Sequence, residues 1–309
     1  MIDLHIHTTA SSDGQHGPQE IFEMAKALEL ETIAFADHNS VASVGDGLRI
    51  SREFGIEFLP CIEINTHYNA YDFHLLGYFI DHQDEGLLQW LKGLEANKRK
   101  QVRQRVNRLR KLGFTLSVKD VERFTAGREP TGVSYLKALL EREENRMDPR
   151  LRAYVDGERS DSPYLNFYWD YLAKGRPASV PIRFISTPEA IQLVQSLGGI
   201  AILAHPSQVK DQRLFDLIGA GLEGLEVYSS YHRVEDEQYF KGVCDRYGLL
   251  VTAGSDFHGR EIKPDVPLGE LRGGSYDLVE KLRQAKRIRD RSMPRRLSIP
   301  PQFRIPPQP

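Results

Sequence analysis

Two histidines separated by one residue, His5 and His7, stand near the start of the chain. Apolar Ile2, Leu4 and Ile6 alternate with polar residues there, so a strand would place both imidazoles on one face, about 7 Å apart. Two imidazoles so placed can chelate a metal ion. Paired histidines in a strand are about as often ordinary polar or packed residues, so residues later in the chain must decide.

Further potential ligands follow apolar segments that we interpret as buried strands, or lie in the loop after the first strand and within the fourth. All are nitrogen or oxygen ligands suited to a divalent metal. The full set of candidates is His5, His7, Asp13, His38, Glu63, His74, His205, Asp256 and His258. A catalytic zinc takes about three protein ligands plus water. The set is therefore too large for one ion and implies two or three.

The elements that must position these residues alternate between buried strands and amphipathic helices. Counting the first, about seven strands are predicted; the later ones lie at 32–36, 58–62, 72–80, 200–204, 222–227 and 249–253. This alternation predicts a parallel sheet. The number of strands suits a barrel, in which the carboxyl ends of all strands lie on one face. Ligands from both ends of the chain can therefore meet.

The strand pattern stops near residue 86 and resumes near residue 180. Helical patterns fill the interval, beginning with a long Lys- and Arg-rich helix over 87–112 that ends at Gly113. We predict a barrel in two parts, 1–85 and 180–289, with 86–179 as a helical cap inserted between them. The Pro- and Arg-rich segment 290–309 lacks periodicity and is expected to be extended or disordered.

Composition excludes several classes of protein. The 309 residues carry a formal net charge of −2, and acidic and basic residues are mixed along the chain. This distribution predicts neither a basic surface for double-stranded DNA nor one for a membrane. No apolar run approaches the ~20 residues of a membrane-spanning helix and no signal peptide precedes the first strand, so a cytoplasmic location is expected. The chain has only two cysteines, Cys61 and Cys244, which lie far apart in the sequence. This argues against a disulfide framework and against a thiolate zinc site.

In combination, these motifs resemble those of the PHP (polymerase and histidinol phosphatase) family, and most of all its free-standing phosphoesterases with a helical insertion. The segments that carry the resemblance are Asp3–Thr8 with Ser12–Gly14, Asp37–His38, Glu63, His74–Tyr78, Leu203–Pro206 and Gly254–Gly259. The resemblance implies a distorted (β/α)7 TIM-like barrel with an inserted all-helical cap domain. It also implies two or three metal ions, usually manganese, iron or zinc.

The resemblance further implies how the ligands divide among the ions. The first ion would take His5, His7, Glu63 and Asp256; the second Glu63, His74 and His205; the third Asp13, His38 and His258. Ala36–Asn39 departs from the family's Thr-Asp-His-Asp, which affects only the surroundings of Asp37. The implied chemistry is hydrolysis of a phosphate ester by an activated water, without a covalent intermediate.

Residues for proton transfer and substrate binding are less sharply indicated. His258 and His232 are both candidates to protonate the leaving oxygen, and an exposed loop position for His232 is an equal alternative. Arg128, at the start of a cap helix, and Lys174 and Arg176, where the cap returns to the barrel, are candidate phosphate-binding groups. Each could equally be a solvated surface cation. Glu129–Thr131 stands where relatives often place a histidine.

The expected substrate is a small phosphorylated nucleotide, such as a 3′,5′-bisphosphorylated nucleoside, or short 5′-phosphorylated RNA. The basic helix face over 98–111 is most simply a solvated surface, with guidance of an RNA end as the lesser alternative. Histidinol-phosphate phosphatase is the nearest rival activity. An amidohydrolase would leave Asp13, His38 and His258 unexplained, and a non-catalytic, metal-stabilised regulatory module would not need every ligand intact.

Overall fold

The computed structural model describes residues 1–11, 13–69, 71–125, 130–180 and 184–292. Its strands are β1 Ile2–Ile6, β2 Thr32–Phe35, β3 Glu57–Tyr68, β4 Tyr71–Tyr78, β5 Ile185–Ser186, β6 Ile200–Leu203, β7 Gly224–Ser229 and β8 Leu250–Gly254. Its helices are α1 Pro18–Ala27, α2 Val44–Phe54, α3 Glu85–Lys111, α4 Val118–Glu122, α5 Gly132–Glu141, α6 Pro149–Arg152, α7 Pro163–Phe167, α8 Thr187–Ser196, α9 Gln212–Gly219, α10 Val234–Tyr247 and α11 Tyr276–Ser292.

Seven of the strands form a nearly closed barrel in the order β1-β2-β3-β4-β6-β7-β8, and β5 pairs with β3 outside this path. The two ends of the path meet through the backbone. His7 N donates to Phe257 O at 2.9 Å, and Asp256 N donates to His5 O at 2.9 Å. The TIM-like barrel with a helical insertion is thus confirmed, and its closure brings the first and last histidine motifs side by side.

The sheet is mixed, so the prediction of an all-parallel sheet is wrong at one strand. β4 runs antiparallel to both of its neighbours, β3 and β6. Since β3 and β4 follow each other without an intervening helix, β3 continues past Glu63 to Tyr68 and the chain returns as a hairpin. Glu63, predicted at a strand end, therefore lies inside β3.

The long helix α3 belongs to two hydrophobic clusters. Its first residues, Leu87 and Trp90, pack in the core of the barrel. Farther along, Val102, Val106 and Leu109 join a second cluster built with helices α5 to α7. The helices between β4 and β5 thus surround a core of their own, while the exact domain boundaries stay a prediction.

The last described helix was not predicted. α11 buries Leu278, Val279 and Leu282 against the barrel, at spacings that place them on one helical face. It continues through Ser292 and so reaches three residues into the predicted tail; residues 293–309 lie outside the described chain. Among the described helices, none combines the length and apolar character needed to cross a membrane.

Candidate metal centre

The predicted ligands converge on one side of the barrel. Their nitrogen and oxygen atoms fall into three groups, each with all ligand atoms within 4.8 Å of one another. The groups are His5, His7, Glu63 and Asp256; His7, Asp13, His38 and His258; and His38, Glu63 and His74. His205 joins them through Glu63, whose Oε1 lies 3.3 Å from its Nε2. All nine predicted residues therefore lie in one cluster.

Glu63 lies at the middle of the cluster and is fully buried. Its Oε1 lies 2.9 Å from His74 Nδ1, and its Oε2 lies 2.7 Å from His38 Nδ1 and 3.3 Å from His7 Nε2. Burial by itself would raise the pKa of Glu63, but His74, His38 and His5 hold it well below its usual value. This ionised carboxylate turns its two oxygens toward different imidazoles.

Asp256 supplies the second carboxylate of the first group. Its Oδ1 lies 3.0 Å from His7 Nε2 and 3.4 Å from His5 Nε2, and the two Nε2 atoms are 3.2 Å apart. Burial opposes the charge of Asp256, but Lys263 and the histidines hold its pKa well below the usual value. Two imidazole nitrogens and a carboxylate oxygen thus face a common point.

Several buried atoms of the cluster lack a well-directed hydrogen bond within the described chain, although four of them lie within 3.0 Å of an imidazole nitrogen or a carboxylate oxygen of the cluster. They are Asp13 Oδ1, His38 Nδ1, Glu63 Oε2, His74 Nδ1 and Asp256 Oδ1. Leaving such atoms unpaired in the interior costs free energy, and native proteins rarely do so. Divalent cations would satisfy all of them at once, since imidazole nitrogen and carboxylate oxygen are their usual ligands. The donor set therefore fits the implied metal ions.

The groups agree only in part with the division of ligands implied by the family resemblance. The first group is the set expected for the first ion, and Asp13, His38 and His258 stand together with His7 added. Around Glu63, His74 is grouped with His38, whereas the resemblance implied His74 with His205. The assignment of individual ligands to individual ions stays a prediction.

Hydrogen bonds in the loop after β1 position two of the candidate histidines. Asp37 accepts hydrogen bonds from Thr8 N at 2.8 Å and from Ser11 Oγ at 3.0 Å. Ser11 Oγ in turn lies 3.2 Å from His7 Nδ1 and accepts from His38 N at 2.9 Å. Asp37 thus fixes the loop after β1, which orients two ligands without contacting a metal itself.

Two ligand positions have left-handed backbone conformations. His205 has a φ of 27° and Asp256 a φ of 60°, values that side chains other than glycine seldom adopt. Such conformations cost about 1–3 kcal/mol each and persist where the surrounding structure imposes them, often at functional sites. At both residues the backbone turns immediately after a strand and directs the side chain into the cluster.

Three residues around the cluster were not predicted. Glu226 is a fully buried residue of β7, and its Oε1 lies 3.0 Å from His5 Nδ1. Tyr231 and Lys263 both donate hydrogen bonds to Asp256 Oδ2, at 2.7 and 2.5 Å. An acidic residue within the apolar segment Leu225–Val227 was a usable signal for Glu226; nothing in the sequence marked the other two.

The two candidate proton donors occupy different places. His258 stacks on His7 at 3.9 Å between ring centroids, and burial together with His7 and Lys263 holds its pKa well below the usual value. His232 is also buried, so the alternative of an exposed loop histidine is wrong. Its Nδ1 donates to Val227 O at 2.8 Å, and its ring stacks on Phe240.

Of the predicted phosphate-binding residues, Arg128 lies outside the described chain. Lys174 and Arg176 are exposed, and their role in binding phosphate stays a prediction. Another cap cation, Arg105 on α3, was not predicted. It is only 8% exposed, lies 5.8 Å from the ring centroid of Tyr135, and its Nε has no hydrogen-bond partner in the described chain.

Tyrosines of the cap connect this arginine with the barrel. Tyr168 lies within electrostatic reach of both Arg105 and Asp72; burial and Asp72 together raise its pKa. Asp72 precedes the ligand His74 by two residues on β4, and residues so spaced share one face of a strand. The pKa of Tyr164 is raised by burial and by Glu261, from the loop after β8. The cap therefore approaches the barrel from two sides of the ligand-bearing face.

Comparisons with known proteins agree with this geometry. The family model described as the PHP domain matches residues 3–171. The chain is 26% identical over 263 residues to the 3′,5′-nucleoside bisphosphate phosphatase of Chromobacterium violaceum, covering 83% of this chain and 87% of that protein. It is 26% identical over 285 residues to a 5′-3′ exoribonuclease of Haemophilus influenzae, covering 90% and 95%.

A solved structure from Bifidobacterium adolescentis, described as a metal-dependent phosphoesterase, superposes with a TM-score of 0.74 at 26% identity, covering 91% of this chain and 94% of that one. Together with the names of the relatives, this likeness supports a hydrolase of phosphate esters. Because the PHP domain model matches more than half of the chain, over residues 3–171, the protein belongs to the PHP domain family.

Proposed function

We propose that the protein is a metal-dependent phosphoesterase that acts on small nucleotides, such as 3′,5′-bisphosphorylated nucleosides or short 5′-phosphorylated RNA. The observation that carries the proposal is the cluster of nine ligand residues with its buried, unpaired nitrogen and oxygen atoms. The names of the relatives support a nucleotide substrate.

The proposed chemistry follows from the charges of the site. Divalent cations, when bound, would supply charge to neutralise phosphoryl oxygens and would lower the pKa of a water molecule. The chain itself contributes two ionised carboxylates, Glu63 and Asp256, and imidazoles held in fixed orientations. His258 stacks on His7 within the cluster, whereas the ring of His232 stacks on Phe240, and both remain proposed proton donors.

Cap cations are proposed to select the substrate. Arg128, Lys174 and Arg176 remain candidates for binding a non-reacting phosphate. Within the described chain Arg105 fits this role best, because no carboxylate is paired with its buried guanidinium and a planar fork of donors suits phosphate. Tyr135, whose ring centroid lies 5.8 Å from the guanidinium carbon, is a neighbouring hydroxyl-bearing side chain.

A substrate panel tests the activity. Protein stripped with a chelator and reloaded with manganese, iron or zinc is given 3′,5′-bisphosphorylated nucleosides, nucleoside monophosphates, short 5′-phosphorylated RNA, histidinol phosphate and amide substrates. We expect phosphate or nucleotide release only with metal, fastest from a nucleotide, and loss of release in H7A. Fastest release from histidinol phosphate would instead favour the rival phosphatase. Amide cleavage without phosphate release would favour an amidohydrolase.

A second experiment tests the role of Arg105. R105Q should lower kcat/KM for the bisphosphate relative to the monophosphate by roughly ten- to hundredfold, the value of hydrogen bonds to a charged group. R103Q alters an exposed arginine of the same helix and should leave the ratio unchanged. An equal loss on both substrates in R105Q would mean that Arg105 only supports the cap.

A further inference from the structure

Lys263 and Tyr231 lie behind the proposed ligand Asp256 and contact each other. Lys263 Nζ is 2.5 Å from Asp256 Oδ2, and Tyr231 OH is 2.7 Å from the same oxygen. Lys263 Nζ also donates to Tyr231 OH at 2.7 Å. The three groups form a closed triangle, which we name the Asp256 clamp. Lys263 comes from the loop between β8 and α11, and Tyr231 from the loop after β7.

The clamp gives the two carboxylate oxygens of Asp256 different hydrogen-bonding environments. Oδ2 receives two hydrogen bonds, one of them from a cation. Oδ1 is buried and has no hydrogen-bond partner in the described chain, and it faces His7 Nε2 at 3.0 Å and His258 Nδ1 at 3.5 Å. Of the two oxygens, Oδ1 is therefore the one available to bind an ion at the cluster.

The clamp is enclosed on the side of Lys263, whereas Tyr231 is 40% exposed. The side chain of Lys263 is 20% exposed, and its carboxylate partner is 3% exposed, so water competes little for their ion pair. The Tyr231 ring is held edge-on against the ligand His205, with 5.5 Å between centroids.

We propose that Lys263 and Tyr231 are positioning residues that restrict Asp256 to binding metal through one oxygen, Oδ1. Without them Oδ2 becomes a second ligand atom, and the ion gains a protein ligand at the expense of a coordination position for substrate. The inference rests on the proposed metal centre. It concerns the geometry around the ion, which is separable from the identity of the substrate.

Cobalt(II) provides a probe of this geometry, because its visible absorption weakens as its coordination number rises. Wild type, K263M, Y231F and K263R are freed of metal and titrated with cobalt(II). We expect wild type and K263R to show the same spectrum, Y231F a smaller change, and K263M a loss of roughly half or more of the absorptivity. With manganese, kcat of K263M should fall by about tenfold or more while KM changes little.

A matched control exists elsewhere in the barrel. Lys210 pairs with Asp236, and its Nζ lies 5.5 Å from the centroid of the Tyr239 ring, so the same three residue types meet away from the cluster. K210M should keep the wild-type cobalt spectrum and kcat. Thermal unfolding of every variant shows whether it is folded; should K263M unfold, the changed cobalt spectrum expected of Y231F carries the test, with K263R as its control.

The outcomes are distinct. A wild-type cobalt spectrum in folded K263M and Y231F would overturn the clamp while leaving the metal centre intact. If wild type itself binds no cobalt(II), the proposed centre fails and this inference fails with it. Binding of cobalt(II) without hydrolysis of any nucleotide would refute the proposed substrate class but not the clamp.

Discussion

Glu226 Oε1 accepts a hydrogen bond from His5 Nδ1 at 3.0 Å, while Glu226 Oε2 accepts one from the backbone N–H of His205 at 2.8 Å. One buried carboxylate on β7 thus supports ligands from β1 and from the end of β6. A carboxylate bound to the outer nitrogen of an imidazole fixes its tautomer and makes its other nitrogen a stronger ligand. His5 Nε2 is thereby left to face Glu63 and Asp256.

We therefore expect E226Q to weaken metal binding by about 10- to 100-fold. The amide keeps the size of the side chain but loses the charge that supports His5. Competition with a chromophoric chelator measures the change in dissociation constant. E223Q, whose carboxylate contacts Arg289 and Gln195 outside the cluster, should leave that constant unchanged. Equal affinity of E226Q and wild type would contradict the prediction.

Gly254, the last residue of β8, allows that strand to approach β1. A Cβ atom there would overlap the His5 Cβ and Glu226 Oε1. Overpacking of this kind costs about 1–3 kcal/mol, so G254A should lower the free energy of unfolding by that amount and also reduce bound metal. Denaturant unfolding and metal content measure the two effects.

Gly242 offers the contrasting substitution. It lies in the interior of α10, and a Cβ atom there would meet nothing within 4 Å. Alanine stabilises a helix interior by roughly 0.5–1 kcal/mol over glycine, so G242A should raise the free energy of unfolding and leave metal content unchanged. A lower free energy of unfolding in G242A, or an unchanged one in G254A, would show that packing around the new Cβ atom does not determine the effect of these substitutions.

A carboxylate of the cap should make its stability depend on pH. Asp120 receives three contacts of 2.6–3.0 Å from the Arg142 guanidinium and caps α4 with Ser117. Burial alone would raise the pKa of Asp120, but Arg142 and Ser117 lower it below 3.8. Its stabilisation is therefore complete above pH 3.8 and is lost as the pH falls through the lower, folded-state pKa.

D120N should accordingly lower the free energy of unfolding by about 1–3 kcal/mol near neutral pH. The difference from wild type should stay constant down to about pH 5 and shrink below pH 4. Urea titrations at a series of pH values measure it, with D161N, on an exposed loop of the cap, as the control. A difference that persists unchanged at pH 3 would exclude this ion pair as its origin.

The convergence of the candidate ligands could be predicted because each residue type restricts the chemistry and most of these residues follow apolar segments; their assignment to metal ions stays a prediction. The reversal of β4 could not be predicted, since the period-two pattern of a strand is the same in either direction. His74 was nevertheless identified, through the family resemblance and its place within a strand. Lys263 and Tyr231 escaped prediction because a lone lysine or tyrosine in a loop carries no pattern; only the folded chain brings them to Asp256.

The reversed strand also explains the length of α3. Since β4 runs opposite to β3, the chain leaves it at the end of the barrel away from the ligands, and 27 residues of helix, about 40 Å, lead it back. One unbroken helix consequently belongs to both hydrophobic cores. A tilt of this helix would move Arg105, the proposed phosphate-binding residue, relative to the cluster, so packing of the cap influences the distance between the two proposed sites.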